Sequence, residues 1–126
     1  HHQVDLCLDA FPYTGGTTAN HGLWMGVPTL PLAGQTPASR QGASLMGHVG
    51  LPKFIAHSEA EFVEKGLYWA GHLTELAAIR AGLRQRWNQP AIGQPAVVAE
   101  GVATALRTMW HGWCTDAAVA DVAAVE

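Results

Sequence analysis

The first sixty residues repeat one pattern: a short apolar run, a glycine- or proline-marked turn, then a stretch of helical spacing. Val4 to Leu8 is apolar enough for a strand, although Asp5 is uncomfortable in a buried one, and Pro12 with Gly15-Gly16 marks the turn that follows. From Thr17 the pattern is helical through Leu23, Trp24 and Met25, and Gly26-Val27-Pro28 supplies a stop. Thr29 to Leu32 predicts a second strand, with Pro31 at its end or on an edge. A loop over Ala33 to Pro37 leads to a helix from about Ala38 to His48, which Gly50-Leu51-Pro52 ends. Lys53 to Ala56 predicts a third strand. Ser58 with Glu61 three residues on forms a capping box for a helix to about Gly71.

Beyond that point the spacing is helical throughout. Thr74 is placed to cap a helix whose Leu76, Ile79, Leu83 and Trp87 share a face, while Arg80, Arg84 and Arg86 lie on others. After the breaker-rich stretch from Asn88 to Pro95, a last helix gathers Val98, Val102, Ala105, Leu106, Met109 and Trp113 on one face. The small residues from Thr115 onward have little to bury. The expected division is therefore one domain over 1–113 and a flexible tail over 114–126.

Three short strands alternating with helices predict an α/β fold, a Rossmann-like parallel sheet with flanking helices and right-handed crossovers. Parallel sheets are normally covered on both faces and have more strands than this. Together with a start at His1-His2-Gln3 that runs almost at once into a strand, this predicts further strands upstream; a small three-stranded domain is the alternative.

Composition narrows the partners. At 126 residues, 48% apolar, with a formal charge of -3 and scattered Lys and Arg, the chain has one modest core and no basic stripe to follow a nucleic-acid backbone. Cys7 and Cys114 lie far apart and outside any metal-ligand spacing, which predicts reduced thiols in a cytoplasmic setting. No apolar run approaches the ~20 residues of a membrane span, and no signal-peptide pattern opens the chain.

The segment with chemical content is Asp9 to Thr18, where glycines and hydroxyls stand between a strand end and a helix start. Such a start offers unpaired N–H groups and the positive end of a helix dipole to an anion such as a diphosphate. Gly15 and Gly16 permit close backbone approach, and Thr17 and Thr18 add hydroxyls. Ligands of open α/β sheets also gather at the C-terminal ends of strands. Taken alone, a Gly-Gly-Thr-Thr turn more often only caps a helix, and this one is neither a Walker loop nor GxGxxG. His48, His57, His72 and His111 show no metal spacing, and the tryptophans at 24, 69, 87, 110 and 113 fit helix faces better than sugar stacking.

The ordered run of motifs is more specific. Val-Asp-Leu-Cys-Leu-Asp-Ala-Phe-Pro-Tyr, Gly-Gly-Thr-Thr, Leu-Trp-Met-Gly-Val-Pro-Thr-Leu, Ala-Gly-Gln-Thr-Pro-Ala-Ser-Arg and Gly-Ala-Ser-Leu-Met-Gly-His-Val-Gly-Leu together resemble the C-terminal catalytic lobe of the O-GlcNAc transferase/SPINDLY family, from about Val4 to Trp87. The resemblance implies part of a GT-B enzyme, inverting and free of catalytic metal or other cofactor, that transfers GlcNAc from UDP-GlcNAc to Ser or Thr of proteins. It implies that the partners are a nucleotide-sugar donor, a protein acceptor, an N-terminal lobe and upstream tetratricopeptide repeats. By the same resemblance Gly15, Gly16, Thr17, Thr18 and His21 form the donor site, with Thr17 and Thr18 at the diphosphate.

Two positions depart from the family's pattern. Gly16 stands where His is frequent, and His21 stands where Asp or Glu holds the ribose hydroxyls, a role in which a neutral imidazole offers one acceptor at most. Arg40 falls in the family's Gly-Glu-Thr-x-Ala-Ser-Arg segment and is expected to order that loop. The family's catalytic histidine and phosphate-binding lysine have no counterpart in this sequence, so no catalytic base is named. Phe11-Pro12-Tyr13 leans toward SPINDLY-like sequences and keeps GDP-fucose as a rival donor, whereas Thr36 to Arg40 leans toward O-GlcNAc transferases. A binding module that keeps the fold without donor chemistry is the reading from a different class.

Overall fold

The computed structural model describes residues 3–89 and 93–123, the side chains of 116–123 excepted. It falls into two units that meet at Gly93 and Gln94, each taken by itself below.

In the first unit, β1 (Cys7–Leu8) and β2 (Thr29–Leu30) pair in parallel, Cys7 opposite Thr29 and Leu8 opposite Leu30. Cys7 N–H donates to Pro28 O and Asp9 N–H to Leu30 O, each at 3.0 Å. The expected third strand is reduced to a single parallel bridge between Leu32 and Ala56. Pro52 opens a 3-10 turn over Pro52–Phe54 instead, since its fixed φ suits a helical first position. An apolar quartet alone does not distinguish strand from turn. The α/β class holds, with a small parallel sheet and flanking helices.

Four helices cover this sheet: α1 (Thr17–Trp24), α2 (Gln41–His48), α3 (Glu59–Gly71) and α4 (Leu73–Asn88). The first two end alike. Gly26 and Gly50 take positive φ of 75° and 70°, a conformation natural to glycine, and the next N–H closes back onto the helix, Val27 onto Gly22 O and Leu51 onto Met46 O at 2.8 Å. The proline that follows cannot continue a helix. Ser58 caps α3 by accepting the Glu61 N–H at 3.1 Å, as expected. Its Glu61 partner reaches the His57 N–H at 2.7 Å. The proposed cap at Thr74 is not found, because α4 begins at Leu73 from a His72 that also closes α3. The start of α2 lies later than expected, at Gln41, since Thr36 and Ser39 satisfy each other in a turn first.

Leu23, Leu30, Met46, Phe54, Leu76 and Leu83 bury their side chains together with Trp69. Trp69 stacks on Phe54 with ring centroids 4.4 Å apart and planes within 5°. Gly66 lets α3 lie close on the sheet, its missing Cβ position 3.8 Å from Leu30 Cδ2. Arg80 ties α4 to the turn after α1 by donating to Gly26 O at 2.9 Å, and its other end pairs with Asp5. That pairing accounts for the polar residue in the first apolar run: Asp5 is exposed and precedes β1.

The second unit is α5 (Pro95–Ala123), which extends beyond Thr115. Its apolar stripe is exposed, with Met109 at 70% and Trp113 at 61%. Trp110 and Trp113 stack at 5.3 Å. Of the breaker-rich stretch, 90–92 lie outside the described residues, as do His1, His2 and 124–126.

Trp69 makes the largest buried contribution, and its indole N–H has no hydrogen-bond partner among the described residues. Trp69→Ala is expected to lose about 3–5 kcal/mol of stability in denaturant unfolding. Trp69→Phe keeps a ring on Phe54 and removes the orphaned donor, so it should lose distinctly less.

Candidate functional site

Leaving β1, the chain turns through Asp9 to Gly16 before α1 begins, and Asp9 organises that turn. Its Oδ1 accepts the N–H of Gly15 at 2.8 Å and that of its neighbour Ala10 at 3.0 Å. Oδ2 is buried against Gly42 in the first turn of α2, without a hydrogen-bond partner among the described residues. Desolvation raises the Asp9 pKa above its ordinary value of 3.8, against the lowering effect of the two N–H groups. Thr14 makes the second tie. Fully buried, it donates N–H and Oγ–H to Ala38 O at 3.1 and 2.9 Å, and its Oγ1 accepts the Gly42 N–H at 3.2 Å.

These ties bring the starts of α1 and α2 to the C-terminal end of the sheet, around one cavity of about 870 Å³. Gly16 and Asn20 form one wall; Gly34, Gln35, Arg40 and Gln41 face them, with Ile55 and His57 beyond. Gly16 is the N-cap of α1, and no side chain caps that helix. The first-turn N–H groups there have no intrahelical acceptor, as at any helix start. Asn20 is fixed in two directions, donating to Gly16 O and accepting from Trp87 Nε1, both at 3.1 Å.

The structure thus brings together part of the predicted set. Gly15 and Gly16 lie at the loop's end, and only Gly16 of the five lines the cavity. Thr17 and Thr18 are exposed on the first turn of α1 beside it, and His21 is exposed one turn further on. Arg40 lines the cavity with an exposed side chain that forms no ion pair among the described residues, so the ordering of its loop is the work of Thr36 and Ser39. Asp9, Thr14, Asn20, Gln41 and His57 escape a reading of motifs. Asp9, Thr14 and Asn20 reach partners 6, 28 and 67 positions away, and only Asp9 gives a local sign, a carboxylate just ahead of a glycine pair. Among the described residues no group of three or more His, Cys, Asp and Glu is placed to hold a metal.

Asp9 is the residue to perturb first. Asp9→Ala removes the acceptor of the Gly15 N–H and should speed hydrogen exchange at that amide. Because the folded-state pKa is raised, the contribution of Asp9 to stability is full below 3.8 and is lost as pH rises through the folded value. Asp9→Asn keeps an acceptor and cannot ionise. Its stability relative to the parent should therefore climb as pH rises from about 4 in acid-range unfolding curves.

Comparison with known proteins agrees with this architecture. The model of glycosyl transferase family 41 matches residues 2–94. A probable UDP-N-acetylglucosamine–peptide N-acetylglucosaminyltransferase SPINDLY of Hordeum vulgare is 36% identical over 111 residues, 88% of this chain and 12% of that protein. Its Oryza sativa counterpart is 37% identical over the same span. A UDP-N-acetylglucosamine–peptide N-acetylglucosaminyltransferase of Caenorhabditis elegans is 31% identical over 78 residues, 62% of this chain and 7% of that one. Among solved structures, a mutant of the O-GlcNAc transferase of Thermobaculum terrenum superposes with a TM-score of 0.76 at 31% identity, covering 90% of this chain and 22% of the other. The chain thus spans about an eighth of the length of the SPINDLY relatives, and it belongs to glycosyl transferase family 41.

Proposed function

We propose that this segment holds the nucleotide-sugar donor of a protein O-glycosyltransferase, with UDP-GlcNAc as donor and Ser or Thr of proteins as acceptor. The observation that carries the reading is the uncapped start of α1, set by Asp9 and Thr14 beside a polar cavity at the C-terminal end of the sheet. The names of the plant and nematode relatives support the choice of donor, since each specifies UDP-N-acetylglucosamine.

Transfer of the sugar breaks its bond to the diphosphate, and negative charge grows on the departing oxygen. The N–H groups of the first turn of α1 are fixed before the reaction, so they meet that charge without reorganising, and the hydroxyls of Thr17 and Thr18 stand beside them. Gly15 and Gly16 keep side chains out of the approach. With charge met by fixed dipoles, inversion proceeds without a metal in this reading. The base that takes the acceptor's proton comes from sequence upstream, as do the second lobe and the helical repeats that select acceptors, in a cytoplasmic enzyme. Among the described residues no helix is long and apolar enough to cross a membrane.

Ligand-observed NMR with UDP, UDP-GlcNAc and GDP-fucose tests the donor assignment. Saturation transfer to the uridine ligands is expected, and Thr17→Val/Thr18→Val should abolish it. Transfer confined to the GDP ligand would reassign the donor to fucose. No transfer to any nucleotide, in a chain that includes the upstream lobe, would leave a non-catalytic binding module.

His21 allows a second test, on the ribose. A carboxylate accepts from two hydroxyls where neutral imidazole accepts from one. His21→Asp should therefore tighten UDP binding by roughly five- to tenfold in calorimetry, one added hydrogen bond to a charged acceptor. Unchanged affinity would place the ribose away from position 21.

A further inference from the structure

Position 16 carries no side chain, yet the space where one would begin is already taken. A Cβ built on Gly16 would stand 2.5 Å from Gln41 Oε1, nearer than Cβ atoms come to their neighbours. Gln41 reaches that point from the facing wall. It is the first residue of α2, it lines the same cavity as Gly16, and its exposed carboxamide forms no hydrogen bond with the described residues. Among the described residues nothing engages its two N–H donors or its oxygen. The backbone around it is held firmly, since the next residue, Gly42, donates its N–H to buried Thr14. An unengaged amide on a fixed backbone, reaching an uncapped helix start at the rim of a cavity, is free to turn to a ligand there.

The atoms within its reach decide what it meets. Gly16 directly precedes Thr17 and Thr18, so a group touching Gly16 adjoins whatever those residues hold. Rotation of a carboxamide by half a turn exchanges its oxygen and nitrogen with almost no change of shape, so an anion there selects the N–H end. Resting on the donor reading above, we propose that Gln41 is a further binding contact of the donor site: its amide takes the room of a residue-16 side chain and donates to the donor's diphosphate beside Thr17 and Thr18. Gly16 and Gln41 then act as one unit, the absence of a side chain on α1 matched by the presence of one on α2.

Calorimetric titration of UDP into the full-length chain tests this, with Gln41→Ala, Gln41→Glu, Gly16→Ala and the Gly16→Ala/Gln41→Ala pair. Gln41→Ala should weaken UDP roughly tenfold or more, the size of one hydrogen bond to a charged acceptor. Gln41→Glu should weaken it further, because a carboxylate would face the diphosphate. Gly16→Ala should weaken binding while Gln41 is present and add little once Gln41 is Ala, which is the signature of shared space. Melting curves of the four variants verify that each is folded. Parental affinity in both Gln41→Ala and Gln41→Glu, with Thr17→Val/Thr18→Val still losing UDP, overturns the role of Gln41 and leaves the donor site standing. Strictly additive effects at 16 and 41 overturn the shared space. A parental chain that takes up no UDP removes the donor reading itself, and the Gln41 contact with it.

Discussion

A single buried hydroxyl holds the site together. Thr14 Oγ1 is both donor and acceptor, giving its proton to Ala38 O in the loop after β2 and receiving the Gly42 N–H of α2. Each of those partners is some two dozen residues away in the chain, so this one group fixes the β1–α1 connection against the β2–α2 connection. A buried hydroxyl with both capacities met is stabilising, and the same position filled by an apolar residue of like shape would orphan a backbone N–H. Asp9 completes the arrangement from the other side, trading desolvation of its carboxylate for two N–H groups that shape the Gly15–Gly16 corner. The facing helix starts, and with them the cavity, follow from these two side chains.

The sheet itself contributes little of the rigidity. Two residues pair in each strand and a lone bridge extends the layer, so few ladder hydrogen bonds hold it. Rigidity comes from the helices that sandwich Leu30 and from the stacked rings of Phe54 and Trp69. The two glycine-then-proline endings keep α1 and α2 short and return the chain to the sheet at the same level.

Much of this was legible in the residues. Apolar spacing with glycine and proline punctuation located α1, α3 and α4 to within a few positions, because those signals are local. The strand expected at Lys53 to Ala56 was misread for a physical reason: Pro52 and Phe54 suit a tight helical turn as well as a strand, and only the bridge from Leu32 to Ala56 reveals where pairing is possible. The start of α2 was set three residues early because the hydroxyls of Thr36 and Ser39 compete for backbone groups that a helix would use. At the site, the glycine pair and the threonines announce a helix start, and the family resemblance made that start a donor site in expectation. The facing wall, Gln41 and His57 above all, arises from residues joined only by folding.

The close approach of Gly42 to Asp9 Oδ2 has a bearing on how such sequences can diverge. Any side chain at position 42 would collide with that carboxylate, and one at Gly34 would meet Ser39 Cβ at 2.6 Å. Drift at 42 or 34 is therefore tolerated only once the residue at 9 or 39 has made room, whereas change at 9 or 39 leaves the glycine free to stay. Across related sequences a side chain at 42 or 34 should therefore appear only beside an altered residue 9 or 39, while exposed neighbours such as Gln35 and Ser44 wander independently.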